Sequence, residues 1–358
     1  MEEEVVVINE NDTWEKVARP SDKEVIGVKW IYKVKYNADG SLQRRKERAV
    51  IAMTSQRGWL IYQLDVKSAF LNGELHEEIY VEQPQGFVIE GEEDKTQGTS
   101  ILIVALYVDD LIFMGNDVHM IEQFKREMMM KYEMSDMGIL KYFLGIEVHQ
   151  SENGVFISQS KYAEKVLKKF GMLGCNPIST PLVVNEKLKK DDGGRKVDET
   201  YYRGLIGNLL YHTHTRPDIM FASSMLSRFM SSPSHLHLGV AKRLLRYIQG
   251  TMNYGIMYSR NLDVKLVGYC DSDLGGCIDD MKSTSGYAFS LGSGIFTWAS
   301  KKQPTVALST AEAEYISASI TTSHVVWIRR IMEDIQEKQE GCTEIFCDNK
   351  SAIAMSKN

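Results

Sequence analysis

The chain has 358 residues, 43% of them hydrophobic, with a formal net charge of −6, enough length and apolar content for two or three domains with real cores. Its five cysteines (Cys175, Cys270, Cys277, Cys342, Cys347) show neither paired nor metal-ligand spacing, which argues for a reducing compartment and against a secreted disulfide scaffold. Met1-Glu2-Glu3-Glu4 opens no secretory signal, and the longest apolar run is broken by Asp109-Asp110 well short of a membrane span, so an intracellular chain without a membrane segment is expected.

Charge is distributed in blocks. Residues 23–58 hold nine basic against three acidic side chains, residues 61–120 two against twelve, and residues 160–260 sixteen against seven. Basic flanks around an acidic centre suit an enzyme that grips phosphates on both sides of a metal site.

In chain order, Val25 to Tyr36 alternates with period two and meets a turn at Asn37-Ala38-Asp39-Gly40-Ser41, which predicts a β-hairpin with a basic rim. Tyr62-Gln63-Leu64-Asp65 predicts a short strand that ends on Asp65 and opens a turn. Ile101 to Tyr107 and Leu111 to Gly115 predict two buried strands with Asp109-Asp110 between them. Adjacent carboxylates between apolar strands repel and resist desolvation, a cost that a divalent cation removes. A basic amphipathic helix is expected over 160–170, then a Pro- and Gly-containing linker over roughly 174–196. The helix around Ala241 to Ile248 sets Lys242, Arg243 and Arg246 near one side, where they could meet phosphates or water.

The last hundred residues carry a second carboxylate set. Lys265 to Asp273 predicts a strand ending on Asp271, and Gly286–Leu291 with Ile295–Ser300 predicts a hairpin. A helix from about Ser309 to Asp334 bears Glu314, and Glu344 to Lys350 predicts a further strand ending on Asp348. Glu312 and Glu314 lie about 200° apart around a helix, so both cannot face one site. Glu314 is chosen because Ala311 and Ala318 share its face and would let the helix approach a sheet.

Gln63-Leu64-Asp65-Val66-Lys67-Ser68-Ala69-Phe70-Leu71-Asn72-Gly73-Glu74-Leu75, Ile79-Tyr80-Val81-Glu82-Gln83-Pro84 and Leu106-Tyr107-Val108-Asp109-Asp110-Leu111 resemble the reverse transcriptase of copia-type long-terminal-repeat retrotransposon Pol polyproteins, of the plant type. Phe143-Leu144-Gly145-Ile146 resembles the hairpin that grips the primer end, and Tyr201 to Tyr211 with Thr215-Arg216-Pro217-Asp218 resembles the family's connection. Asp271-Ser272-Asp273, Trp298 to Gln303, Ser309 to Tyr315 and Cys347-Asp348-Asn349 resemble its RNase H domain.

The resemblance implies an α/β (α+β) chain: reverse transcriptase fingers and palm over 1–150, a thumb or helical connection over 151–260, and an RNase H-like domain over 261–358. It makes Asp65, Asp109 and Asp110 ligands of Mg²⁺ or Mn²⁺ at the polymerase centre, and Asp271, Glu314 and Asp348 ligands at the RNase H centre. Lys46 and Arg48 fall where the family carries triphosphate-binding cations, and Phe70 takes the aromatic position beneath the dNTP sugar. RNA template, DNA primer, RNA–DNA hybrid and dNTPs are the implied partners, and a cytoplasmic virus-like particle or the nucleus the implied location.

Three departures from the family are expected to impair activity. Ala49 to Arg57 leads almost directly to Trp59 where the family completes its fingers. An acidic stretch, Ile89 to Lys95, replaces a template-groove helix, and the sequence ends at Asn358 before the family's last histidine and fourth aspartate. A catalytically inactive remnant that at most binds nucleic acid is the alternative to a working polymerase.

Overall fold

A computed structural model of the chain describes residues 43–66, 101–107, 110–132, 134–183, 186–260, 265–334 and 337–357. All of them belong to one compact unit, 33–69 with 99–358; a second unit, 1–32 with 70–98, lies outside the described residues. The hairpin expected at 25–36 is therefore among the undescribed residues, as are Phe70 and Asp109.

The chain is mixed α/β, with three four-stranded sheets among the described residues. Helix α1 (Gln43–Arg57) leads into β1 (Ile61–Val66). Strand β1 pairs antiparallel with β3 (Asp110–Gly115) on one side and β4 (Met134–Ile139) on the other, and β2 (Leu102–Tyr107) closes the far edge beside β3. The apolar runs read from the sequence are thus real strands, and their alternation gives the sheet two apolar faces. Leu64, Leu111 and Phe113 bury one face under Ile121 of α2 (Val118–Lys131), while Ile61, Ile112 and Met114 on the other face are equally shut from solvent. Asp117 fixes the start of α2 by accepting from the His119 and Met120 amides.

The second sheet runs β5 (Tyr142–Phe143), β6 (Ile146–Ser151), β7 (Gly154–Ser158) and β8 (Gly255–Ser259). Strand β8 arrives about a hundred residues after β7, so the intervening helices return the chain to the sheet it left. Those helices are α3 (Ser160–Lys169), α4 (Glu199–His212), a 3₁₀ turn (Pro217–Ile219) continuing as α5 (Met220–Ser227), and α6 (His235–Gly250). They share one apolar core that includes Leu167, Tyr202, Leu205, Leu209, Leu226, Leu244 and Ile248.

The stretch at 174–196 is not a linker. Leu188 is buried in that helical core, and Arg243 Nη2 and Arg246 Nε donate to Thr180 Oγ1 (2.8 Å) and the Asn176 carbonyl (2.8 Å). Two of the three cations expected to face phosphate or water are therefore spent on the loop, and only Lys242 is fully exposed.

The third sheet is β11-β10-β9-β12: β9 (Leu266–Ser272), β10 (Thr284–Leu291) and β11 (Ile295–Lys302) are antiparallel, and β12 (Glu344–Phe346) lies parallel to β9. Helix α7 (Thr310–Asp334) packs on this sheet, and the short α8 (Lys350–Met355) follows β12.

Helix α1 knits the sheets together. Val50 to Gln56 are all buried, so its apolar residues cannot form a one-sided stripe; a helix enclosed on all sides is the result. Ser55 Oγ donates to the Tyr258 carbonyl (2.5 Å) and accepts from the Val155 amide (3.0 Å).

Candidate metal-binding carboxylate sites

The first site lies at the end of β1. In the β1–β3 ladder Asp65 is the direct partner of Asp110, and in the β2–β3 ladder Tyr107 is the partner of the same Asp110. Partners directly across an antiparallel pair project to the same face. Two residues before Asp65, and so also on that face, Gln63 donates from Nε2 to Asp110 Oδ1 at 2.7 Å. Asp65 and Asp110 are thus brought together, while Asp109 lies outside the described residues. Gln63 was not singled out from the sequence, although its period-two spacing from Asp65 places it there.

The other residues expected at this site divide. Lys46 is in α1, its side chain outside the described set, and Phe70 is undescribed. Arg48, expected to meet the triphosphate, is instead enclosed within the fold. It is 4% exposed, donates from Nε to the Phe296 carbonyl (2.8 Å) and from Nη1 to the His214 carbonyl (3.0 Å), and lies 4.2 Å over the Trp298 ring. A planar guanidinium suits such a fork-and-stack arrangement, so Arg48 ties α1 to the C-terminal sheet and the helical block.

The second site forms where β9, α7 and the residue pair after β12 meet. Asp271 is the penultimate residue of β9, Glu314 sits one turn into α7, and Asp348 follows β12. Glu314 is 5% exposed; its Oε1 accepts from the Ser272 amide at 3.0 Å. Burial first, then the neighbouring Asp271 and Asp348 charges, raise its carboxyl above the ordinary range. Donor atoms of Glu314, Cys347 and Asp348 all lie within 4.8 Å of one another. Glu314 and Asp348 therefore come together from two elements, and Asp271 of β9 lies beside Glu314. The partly buried Cys347 thiol joins them, lying 3.8 Å from Glu314 Oε2.

Helix phase explains why Glu314 and not Glu312 enters. Ala313, Glu314, Ser317, Thr321, Val325 and Ile328 form the buried stripe of α7. Glu312 is on the other side, where its Oε2 accepts from the Leu308 amide (2.7 Å) while its own amide donates to Ser309 Oγ (3.1 Å), closing the helix start. The small residues that permit close approach are Ala313 and Ser317; Ala311 and Ala318 are only half-buried. Ser317 Oγ donates to the Asp271 carbonyl at 2.9 Å, and Gln303 Nε2 reaches Ser272 Oγ (3.1 Å), Ser285 Oγ (2.9 Å) and the Ala313 carbonyl (2.9 Å). These polar ties lock α7 to β9 and β10, and no periodicity in the sequence announces them.

The donor set fits a hard divalent cation. A nearly enclosed carboxylate facing like charges is stabilised by a cation, and carboxylate oxygens are the ligands that Mg²⁺ and Mn²⁺ prefer. No helix among the described residues is long and apolar enough to cross a membrane.

A family model described as reverse transcriptase (RNA-dependent DNA polymerase) matches residues 45–99 and 95–184. The Pol polyprotein from transposon RE1 of Arabidopsis thaliana is 32% identical over 420 aligned positions, covering 97% of this chain and 29% of the polyprotein. That from transposon TNT 1-94 of Nicotiana tabacum is 32% identical over 439, covering 100% and 33%. An uncharacterized mitochondrial protein of Arabidopsis thaliana is 36% identical over 227, covering 63% of this chain and 94% of its own length. The chain spans about a third of the length of the two polyproteins. Both of those alignments are longer than the 358-residue chain itself, so the polyproteins hold internal segments that it lacks. The chain belongs to the reverse transcriptase family of copia-type retrotransposon Pol polyproteins, as a member without some internal segments of those two polyproteins.

Proposed function

We propose that this chain carries the reverse transcriptase and RNase H region of a retrotransposon Pol polyprotein, built for RNA-directed DNA synthesis and for hydrolysis of the RNA strand of a hybrid, with activity impaired. The observation that carries the reading is the meeting of Glu314 of α7 with Asp348 after β12, with Asp271 of β9 beside Glu314. The opposition of Asp65 and Asp110 supports the polymerase half. Residues 1–150 would form fingers and palm, 151–260 the thumb or connection, and 261–358 the RNase H-like domain.

In this reading Asp271, Glu314 and Asp348 hold Mg²⁺ or Mn²⁺ at one centre, and Asp65, Asp109 and Asp110 at the other. Bound there, the cations would activate the attacking oxygen and stabilise the leaving one. The Ser272 amide orients Glu314, and Gln63 orients Asp110, so each site has one carboxylate held before substrate arrives. Lys46 is the remaining triphosphate candidate, and Phe70 would exclude a 2′-hydroxyl. RNA template, DNA primer, hybrid and dNTPs are the substrates, met inside the cell in a virus-like particle or the nucleus.

A second reading, an inactive remnant that at most binds nucleic acid, is favoured by the internal segments missing relative to the polyproteins. Positioning of primer and template supplies much of a polymerase's acceleration, so loss of groove segments should cost more than loss of any single ligand.

Primer extension on an RNA template with Mg²⁺ or Mn²⁺ tests both readings. Impaired activity predicts weak or no extension alongside salt-sensitive binding of hybrid. Robust extension abolished by Asp109→Asn would overturn the impairment. Absence of hybrid binding at low salt would overturn the nucleic-acid function itself.

A further inference from the structure

The carboxylate centre around Glu314 contains a donor of another chemical class. Cys347 Sγ stands 3.8 Å from Glu314 Oε2, and Cys347, Glu314 and Asp348 present donor atoms within 4.8 Å of one another. A second thiol faces the first: Phe346 pairs with Tyr269 in the parallel β9–β12 ladder, so the next residues, Cys347 and Cys270, lie across from each other and interact. Cys270 is 7% exposed, and its Sγ lies 3.6 Å from the Phe346 carbonyl.

We propose that Cys347, Glu314 and Asp348 form a binding site for a thiophilic divalent cation of the zinc class, beside the buried Cys270 thiol. Thiolate is a poor ligand for Mg²⁺ and a favoured one for Zn²⁺, which also accepts carboxylate oxygens. Tetrahedral zinc at its usual bond lengths separates neighbouring donors by about 3.5 Å, so the set closes onto a metal with side-chain rotations of about an ångström. Glu314 supplies the reason a cation belongs there. It is almost wholly buried, and its Oε2 meets a weak thiol donor and like charges. Binding displaces the Cys347 proton to solvent, leaving a thiolate on the metal. Because the site shares Glu314 and Asp348 with the hard-cation set, the two cations exclude each other. The proposal rests on the donors alone and stands whether or not the chain cleaves nucleic acid.

Cadmium chloride, titrated into the full chain kept reduced by a phosphine, tests this through the ultraviolet sulfur-to-cadmium absorption. The expected result is a band that saturates at one equivalent, disappears in Cys347→Ser, and persists in Cys342→Ser and Cys175→Ser. Excess Mg²⁺ should weaken cadmium binding in the wild type, and Cys347→Ser should keep its thermal stabilisation by Mg²⁺. A band that survives Cys347→Ser, or no band at all, overturns the proposal. Should Cys347→Ser fail to fold, Asp348→Asn takes its place, since that carboxylate is exposed. It should weaken cadmium binding by at least the roughly tenfold that even outer partners of a metal contribute, and unchanged affinity overturns the site.

Discussion

Asp65 and Asp110 are direct partners across the β1–β3 ladder, and Gln63 Nε2 holds Asp110 Oδ1 at 2.7 Å on the same face. Like charges directly opposite in a sheet destabilise it, so this pair is tolerated against the interest of the fold. Asp65→Asn should raise stability by about 0.5–1 kcal/mol in metal-free buffer and remove the share of Mn²⁺ stabilisation that this centre contributes, leaving that of the second centre. Urea midpoints with and without Mn²⁺ measure both effects. A variant less stable than wild type in chelator would show that the pair is not under charge strain.

At the second site Glu314 is enclosed with Asp271 and Asp348 as neighbours. Mg²⁺ or Mn²⁺ should raise the melting temperature of the wild type, by the equivalent of about 2.7 kcal/mol at a hundredfold excess over Kd. Glu314→Gln keeps shape and the Ser272 hydrogen bond while removing the charge, so the variant should match or exceed wild-type stability in chelator and lose the part of the metal shift that this centre contributes. A full metal shift in Glu314→Gln would place the cation elsewhere.

The sequence makes much of this arrangement legible where period and chemistry coincide. The apolar runs on either side of Asp109-Asp110 form the expected strands, and the family resemblance, not alternation, brings Tyr62 to Asp65 beside them. Helix geometry at 3.6 residues per turn lets only one of the two acids face the sheet, and Glu314 enters while Glu312 stays outside. Its small contact residues are misassigned, because Ala313 and Ser317, not Ala311 and Ala318, make the contact. What cannot be read locally is the long-range wiring. Arg48 meets partners 166 and 248 residues away, and Arg243 and Arg246 close onto a loop that composition alone presents as a linker. Cation-rich segments look alike in sequence whether they meet phosphate, water or buried carbonyls.

Arg48 itself distinguishes those outcomes. Its guanidinium satisfies the Phe296 and His214 carbonyls and stacks on Trp298. Arg48→Ala should lower stability by about 3–5 kcal/mol, since carbonyls left buried without donors add to the lost stacking. Arg48→Lys should recover little, because a point charge cannot fork to two carbonyls and lie flat on an indole. Chemical denaturation of the two variants measures this. A melting profile unchanged in Arg48→Ala would return the residue to the triphosphate role.

A buried histidine sets the acid limit of the helical block. His212, in the last turn of α4, is 2% exposed, and neither ring nitrogen has a hydrogen-bond partner among the described residues. Burial first, then the Arg216 charge, push it down to about 3, with Asp218 opposing. The folded protein therefore keeps the ring neutral at pH values where the unfolded chain, with an ordinary histidine near 6.5, takes up a proton. More protons bound in the unfolded state means that stability rises with pH through this interval, so the folded state weakens as pH falls from about 6.5 toward about 3. His212→Leu fills similar volume without the polar nitrogens, and should be as stable as wild type at pH 7.5. Its advantage should then grow on acidification, approaching about 1.4 kcal/mol per pH unit below pH 6. Urea midpoints at pH 7.5, 6.0 and 5.0 measure that divergence, in which the carboxylates common to both proteins cancel. Parallel pH profiles would mean that His212 does not couple protonation to unfolding.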